Sequence, residues 1–249
     1  MMAEIMKVRS NFCSTFQLGG EEMAWQPPEG TEEYLKPTEL CDCENEELKR
    51  RAKEIIKDAE TPKEAALKVF SFVRDGVPVK LDAIGDKASK TLKKGGGSCA
   101  NKTNLQIALL RAVGVPARYH QVNIRRESLK GIVSGFMYKQ LPGIVWWHPW
   151  CECYLSERWV ACEALYDEAL YRAILQEGLL TTEQIPSIDW DGENDLHVVD
   201  TWIVQDVGTF ASLDEAFKKA QKERGVRALL FGWLVLFLSN RHTERLRKR

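Results

Sequence analysis

The sequence predicts an α+β fold in which a helix that begins with a cysteine packs on an antiparallel β-sheet. Three observations carry that prediction. Gly95-Gly96-Gly97-Ser98-Cys99 opens a helical run that ends at Gly114-Val115-Pro116. Residues 146–155 are rich in aromatic and β-favouring side chains, break at Ser156-Glu157, and resume over 158–163, which is the pattern of a β-hairpin. Two amphipathic helical patterns precede both features and supply a layer to cover the sheet.

At 249 residues and 28.4 kDa the chain can hold one large domain or a domain with extensions, and 44% hydrophobic content is enough for a core. Its 35 basic and 36 acidic residues nearly cancel, so no global field points to nucleic acid. We expect an irregular N-terminal extension over 1–30, a core over 31–175, and a C-terminal extension over 176–249 that bears an apolar helix. Glu4, Lys7 and Arg9 interrupt the apolar run that a signal peptide requires. Seven cysteines, an odd number without a small-domain framework, fit a reducing interior, so the expected compartment is the cytoplasm.

Leu48, Ala52, Ile55 and Ile56 predict a helix over 44–58, capped by Asp42 or Asn45. Thr61, Pro62 and Glu64 form a capping box with proline at the first helical position. Ala65, Leu67, Val69, Phe70 and Val73 then cover a face expected to pack beneath the cysteine helix. Residues 76–94 read as a polar loop. The three glycines allow a sharp turn, Ser98 is an N-cap, and Cys99 takes the first helical position at the positive end of the helix, a setting in which reactive thiolates occur. Leu105, Leu109 and Ala112, with Ala108 beside them, predict a single core-facing stripe, while Lys102, Gln106 and Arg111 point in other directions. Residues 117–124 read as a strand. Residues 125–140 form a long connection whose Leu129, Ile132 and Phe136 either wall a substrate cleft or simply pack.

With the hairpin turn centred between Ser156 and Glu157, His148 lies opposite Leu165, and Glu163 is diagonal to His148 on the same face. Diagonal neighbours have Cα atoms about 7–8 Å apart, within reach of a carboxylate and an imidazole. Such a carboxylate fixes the ring's tautomer and leaves its other nitrogen for a thiol. Pro149 marks an edge or a bulge in the first strand. A lone cysteine is ordinarily a small buried hydrophobe; the downstream histidine and glutamate distinguish Cys99.

These residues resemble the transglutaminase-like superfamily of papain-type cysteine enzymes. The likeness runs in order through Tyr34-Leu35-Lys36-Pro37-Thr38, Phe72-Val73-Arg74-Asp75, Gly-x-Cys at the helix start, Arg-Ala-x-Gly-Val-Pro-Ala-Arg from Arg111, His-x-Trp-x-Glu-x-Tyr-Leu from His148, and an aromatic-initiated strand that ends in an acid. It covers roughly residues 34–170. The resemblance implies a papain-like, transglutaminase-like core with Cys99 as nucleophile, His148 as general base and acid, and Glu163 as the orienting third member. Aspartate is usual in the family where this chain has Glu163, and Asp167 is a rival for that role.

Beyond the hairpin, residues 164–175 read as a helix and 181–200 as an acidic, solvated loop. That loop lacks the spacing and closing glutamate of an EF-hand, so calcium is not expected. Cys41-x-Cys43 and Cys151-x-Cys153 do not have zinc-knuckle spacing, and no metal or cofactor is expected. His120, His197 and His242 lack motif context, and no Gly-Lys-Ser/Thr follows the three glycines to make a phosphate cradle. Residues 214–224 form a charged helix, and the apolar run over 227–238 is well short of the roughly 20 residues of a membrane span. It is read as core or dimer seam in preference to an interfacial helix over 226–249 held on anionic lipid by Arg241, Arg245, Arg247, Lys248 and Arg249.

The function implied is cysteine-dependent acyl transfer on a peptide or carboxamide bond of a peptide or protein substrate. Water as acceptor gives a protease or amidase, and an amine gives a transglutaminase. Hydrolysis is favoured by analogy, because calcium-binding features and the large accessory domains of crosslinking enzymes are absent from the sequence. A non-catalytic scaffold that binds peptides through Trp146, Trp147 and Trp150 is the reading from another class.

Overall fold

Helices begin where the capping residues stand. A computed structural model describes residues 17–18, 21–22, 25–222 and 226–249, with side chains described at 25–135, 138–218 and 236–249. Near the start, β1 (Gln17–Leu18) pairs with β2 (Glu21–Glu22); the rest of the predicted extension before residue 25 lies outside the described residues. Helix α1 (Glu46–Ile55) follows Asn45, whose side chain accepts from the N–H groups of Glu47 and Leu48. Asp42, the other candidate cap, instead accepts from the N–H and hydroxyl of Ser89 at 3.0 and 2.5 Å. Thr61 caps α2 (Pro62–Gly76) through the Glu64 N–H, while Glu64 reaches back to the Glu60 N–H at 2.7 Å. The loop predicted over 76–94 is shorter than expected: its last seven residues form α3 (Ala88–Lys94), which closes on Gly95 in the left-handed conformation at φ 58°.

Helix α4 (Cys99–Ala112) departs most from prediction. It has no solvent face: every residue from Ala100 to Arg111 is buried. Lys102, Gln106 and Arg111, expected to point away from the core, are each enclosed, and each donates to main-chain carbonyls of surrounding segments. A stripe read from hydrophobicity fails here because polar side chains that find buried partners are as internal as leucines.

The sheet has the order β5-β4-β3-β6, all neighbours antiparallel. Its strands are β3 (Ala117–Arg125), β4 (Ile144–Leu155), β5 (Arg158–Ala161) and β6 (Ile203–Phe210). The hairpin turns at Ser156 and Glu157, both at positive φ, 49° and 64°, as a tight two-residue connection requires. Pro149 lies on β4 beyond the last pair with β5, in a stretch paired only with β3, where its missing N–H breaks no ladder. Strand β6 was not anticipated from the sequence.

Alternate residues of the strands face two cores. Ala117, Tyr119, Cys151 and Cys153 join α1, α2 and α4 around Leu48, Val69, Phe70, Leu105 and Leu109. Val122, Ile124 and Trp150 join the second core with Leu165, Tyr166, Ile174, Val199 and Trp202. The connection over 125–140 holds a 3-10 turn at Arg126–Leu129 and α5 (Gly135–Tyr138). Helix α6 (Glu168–Gln176) starts four residues later than predicted, with Asp167 as its N-cap. The acidic stretch over 181–200 is less solvated than its composition indicates: Ile185, Ile188, Trp190, Val198 and Val199 are buried.

Helix α7 (Asp214–Lys222) precedes α8 (Val226–Leu246), which continues well past residue 238. Most of the apolar run on α8 has side chains outside the described residues. Its far end packs on the core through Ser239, Thr243 and Leu246. Arg247 and Arg249, two of the residues considered for lipid contact, pair with Asp167 and Glu177 at 2.7 and 2.6 Å. Among the described residues, no helix is long and apolar enough to cross a membrane.

Candidate active site

The strip that leads to Cys99 is fixed before the helix starts. Lys80 N–H donates to Gly97 C=O at 2.9 Å. Asp82 accepts from the Ser98 N–H and from the Asn101 side chain, both at 2.9 Å. Ser98 Oγ caps the helix at the Asn101 N–H. This leaves Cys99 on the first turn, where main-chain N–H groups have no partner inside the helix.

One face of α4 then sets the register of everything opposite it. Cys99, Lys102, Thr103 and Gln106 stand at i, i+3, i+4 and i+7, on one side of the helix. Thr103 Oγ1 donates to Pro149 C=O at 3.0 Å, next to His148. Gln106 Nε2 donates to Cys162 C=O at 2.9 Å, next to Glu163. Lys102 Nζ donates to Leu165 C=O at 3.0 Å. The polar residues of the Cys99 helix therefore hold the two segments that present the histidine and the glutamate. Burial is the first cause that pulls the Lys102 ammonium down, to about 7, with Asp167 opposing it.

His148 and Glu163, each 3% exposed, meet as the hairpin geometry predicts: Nε2 lies 2.7 Å from Glu163 Oε1. The other carboxylate oxygen, Oε2, accepts from the N–H groups of Val198 and Val199 at 2.6 and 3.2 Å. With Nε2 engaged, Nδ1 is the ring nitrogen left for Cys99, whose side chain lines the same cavity as the imidazole. Burial alone drives the imidazole toward neutrality, but the charges and hydrogen bonds of Cys99 and Glu163 outweigh it and raise His148 to about 10. A histidine raised in the fold stabilises it fully below its unfolded value near 6.5, and that contribution is lost as pH rises through about 10.

Asp167 is placed elsewhere. It caps α6 at the Leu170 N–H, 3.0 Å away, and takes the Arg247 guanidinium on both oxygens at 2.7–3.0 Å. Burial raises its carboxyl, and the bonds to Arg247 outweigh that and hold it below the usual range.

Beside Cys99 and His148 lies a cavity of about 40 Å³ lined mainly by Val79, Leu81, Leu129, Ile132, Leu165 and Val199. Of the three apolar residues noted in the 125–140 connection, Leu129 and Ile132 wall the cavity, and the side chain of Phe136 lies outside the described residues. Trp146 and Trp147, just before His148, are exposed, and Trp147 sits at φ 72°. Trp150 is buried, stacked on His120 at 4.4 Å.

Residues 49–164 match the model of the transglutaminase-like superfamily core. Over this stretch the chain is similar to that family's core. No curated protein matches the chain in sequence. Two solved structures are similar in part. A protein from Cytophaga hutchinsonii, provisionally named a cysteine protease, is 17% identical with TM-score 0.47 over 74% of this chain and 48% of its own. A provisionally named protease from Parabacteroides distasonis is 10% identical with TM-score 0.35 over 53% of this chain and 24% of its own. The chain spans about half the length of the first and about a quarter of the second.

Several supports of the transglutaminase-like core were not read from the sequence. The Val198 and Val199 N–H groups and Asp82 come from stretches with no regular pattern. Thr103 had a usable signal, its four-residue offset from Cys99, as did Lys102 and Gln106. Cys41, Cys43, Cys151, Cys153 and Cys162 are buried free thiols; Cys153 and Cys162 sulfurs lie 3.9 Å apart. Among the described residues, no group of three or more His, Cys, Asp or Glu is gathered to hold a metal.

Proposed function

We propose that this chain is a cysteine hydrolase that cleaves peptide or carboxamide bonds through a thioester on Cys99. The observation that carries the reading is the buried His148–Glu163 pair beside the half-buried Cys99, all three lining one pocket, with Glu163 itself held by two main-chain N–H groups.

The Cys99 thiolate, paired with the His148 imidazolium, attacks the substrate carbonyl carbon, and the carbonyl π electrons move onto oxygen. The Cys99 N–H is one donor for that oxyanion. Collapse expels the amine, which takes the proton from His148 Nδ1 and leaves a thioester. Neutral Nδ1 then removes a proton from water as the water attacks the thioester. The acid departs, and thiolate and imidazolium are restored. Glu163 keeps the second imidazole proton on Nε2 throughout, so Nδ1 stays the working nitrogen. The six described cysteines are free thiols, which supports a reducing compartment, and the cytoplasm is our proposed site of action.

Water and an amine enter at the same point, so the acceptor is read from the product. A peptide-amide library incubated with the protein and a millimolar primary alkylamine should yield free acids in the mass spectrum, and none with Cys99→Ala. Predominant alkylamide products would overturn hydrolysis in favour of transglutamination. The absence of any product, with a Cys99 that labels like an ordinary thiol, would favour a peptide-binding scaffold.

A further inference from the structure

The last turns of α8 reach the cleft that holds Cys99. Asn240 takes both main-chain groups of Leu81: its Oδ1 accepts the Leu81 N–H at 2.7 Å, and its Nδ2 donates to the Leu81 C=O at 2.8 Å. Two turns further on, just past the end of α8, Arg247 Nη2 donates to Val79 C=O at 3.0 Å. The same guanidinium grips Asp167, four residues past Glu163. Val79 and Leu81 line the cavity with Cys99 and His148, and they belong to the strip bonded to Gly97 just before the nucleophile. One helix end thus bonds to both sides of the site.

The form of the Asn240 contact carries the argument. A cleft-rim residue with open N–H and C=O groups can receive an extended peptide as an added strand. A carboxamide presents the same donor and acceptor as a peptide group, so Asn240 stands where a substrate main chain would bond. The cavity of about 40 Å³ holds about two or three waters, too little room for an extended stretch of peptide. Ser239, Thr243 and Leu246 are buried around the contact.

We propose that residues 239–247, the end of α8 and the residue after it, form an inhibitory strap, in which Asn240 occupies the main-chain groups of Leu81 and release of the strap opens the cleft to an extended peptide. This rests on the reading of the chain as a cysteine hydrolase. The strap shifts a closed–open equilibrium: a substrate or partner that favours the open form must outweigh the Asn240 and Arg247 bonds.

The test uses the full chain and compares two alkylating agents at Cys99 by peptide mass spectrometry, a small one (iodoacetamide) and a peptidyl chloromethyl ketone that must lie along the cleft. Asn240→Ala should raise the rate of the peptidyl reagent on the order of tenfold, the effect of losing two modest hydrogen bonds. Iodoacetamide should change by less than about twofold, because the thiol itself is untouched. Equal rates for the peptidyl reagent in both proteins would overturn the strap. Should the variant fail to fold, hydrogen exchange on the wild type decides. The Leu81 amide and those of 240–247 should exchange together through a local opening, well ahead of α4; exchange of all three only on global unfolding would overturn the strap. The exchange result is independent of chemistry at Cys99. Failure of the hydrolase reading would show separately, as iodoacetamide labelling that ignores His148.

Discussion

Glu163→Gln should lower turnover by about 10³–10⁴-fold while leaving the fold intact, whereas Asp167→Asn should leave turnover within about tenfold. The reason lies in the two N–H groups that face Glu163 Oε2, those of Val198 and Val199. A glutamine must turn its carbonyl oxygen toward them, since its NH₂ would meet two donors. The NH₂ then faces His148 Nε2, which lies 2.7 Å from the carboxylate oxygen in the native protein. Nε2 becomes an acceptor and the ring proton moves to Nδ1, so the nitrogen beside Cys99 can no longer accept a proton. Asp167→Asn instead weakens the α6 cap and the Arg247 pair, and its effect should appear in the melting temperature. Steady-state kcat/KM of the two variants on one amide substrate checks this; the reverse order would move the orienting role to Asp167.

Arg111→Met should produce the largest loss of stability of any single polar substitution in α4. The guanidinium is 2% exposed and ties together three segments far apart in sequence. It donates to Ala117 C=O twice, at 3.0 and 2.8 Å, and to Lys36 and Ala211 C=O at 2.7 Å each. Methionine fills most of the volume but supplies no donor, and a buried carbonyl left without its partner costs about 1–3 kcal/mol. For a chain of this size, a loss of about 3–5 kcal/mol lowers the melting midpoint by about 10 °C. Thermal unfolding followed by circular dichroism reads the change directly; a shift under about 2 °C would show that water replaces the guanidinium at all three carbonyls.

The placing of Cys99, His148 and Glu163 around one pocket was legible in the sequence because two short-range rules fix it. Period-two alternation about Ser156-Glu157 sets which face of the hairpin carries His148 and Glu163, and Ser98 with the preceding glycines sets where the helix of Cys99 begins. Arg111, Gln106 and Lys102 were misread for a physical reason. A residue's polarity predicts exposure only when no buried acceptor awaits it, and those acceptors are carbonyls of segments up to 100 residues away. Strand β6 and the Val198–Val199 support were illegible for a related cause. Val204, Val207 and Phe210 are exposed on an edge strand, so no inward–outward alternation marks it, and a main-chain N–H leaves no trace in residue type. Asn240 in a polar stretch likewise gave no signal of the cleft it reaches.

The measurement that tests the central claim most directly is the pH profile of iodoacetamide labelling at Cys99, read by peptide mass spectrometry in the native protein and in His148→Ala. His148 is held as the imidazolium to about 10, so the native profile should stay high through neutral pH and extend into the acidic range. Labelling at pH 6 should fall by about 10²-fold in the variant, where an ordinary thiol is almost wholly protonated. A native profile that rises only in the alkaline range, and that His148→Ala leaves unchanged, would contradict the account.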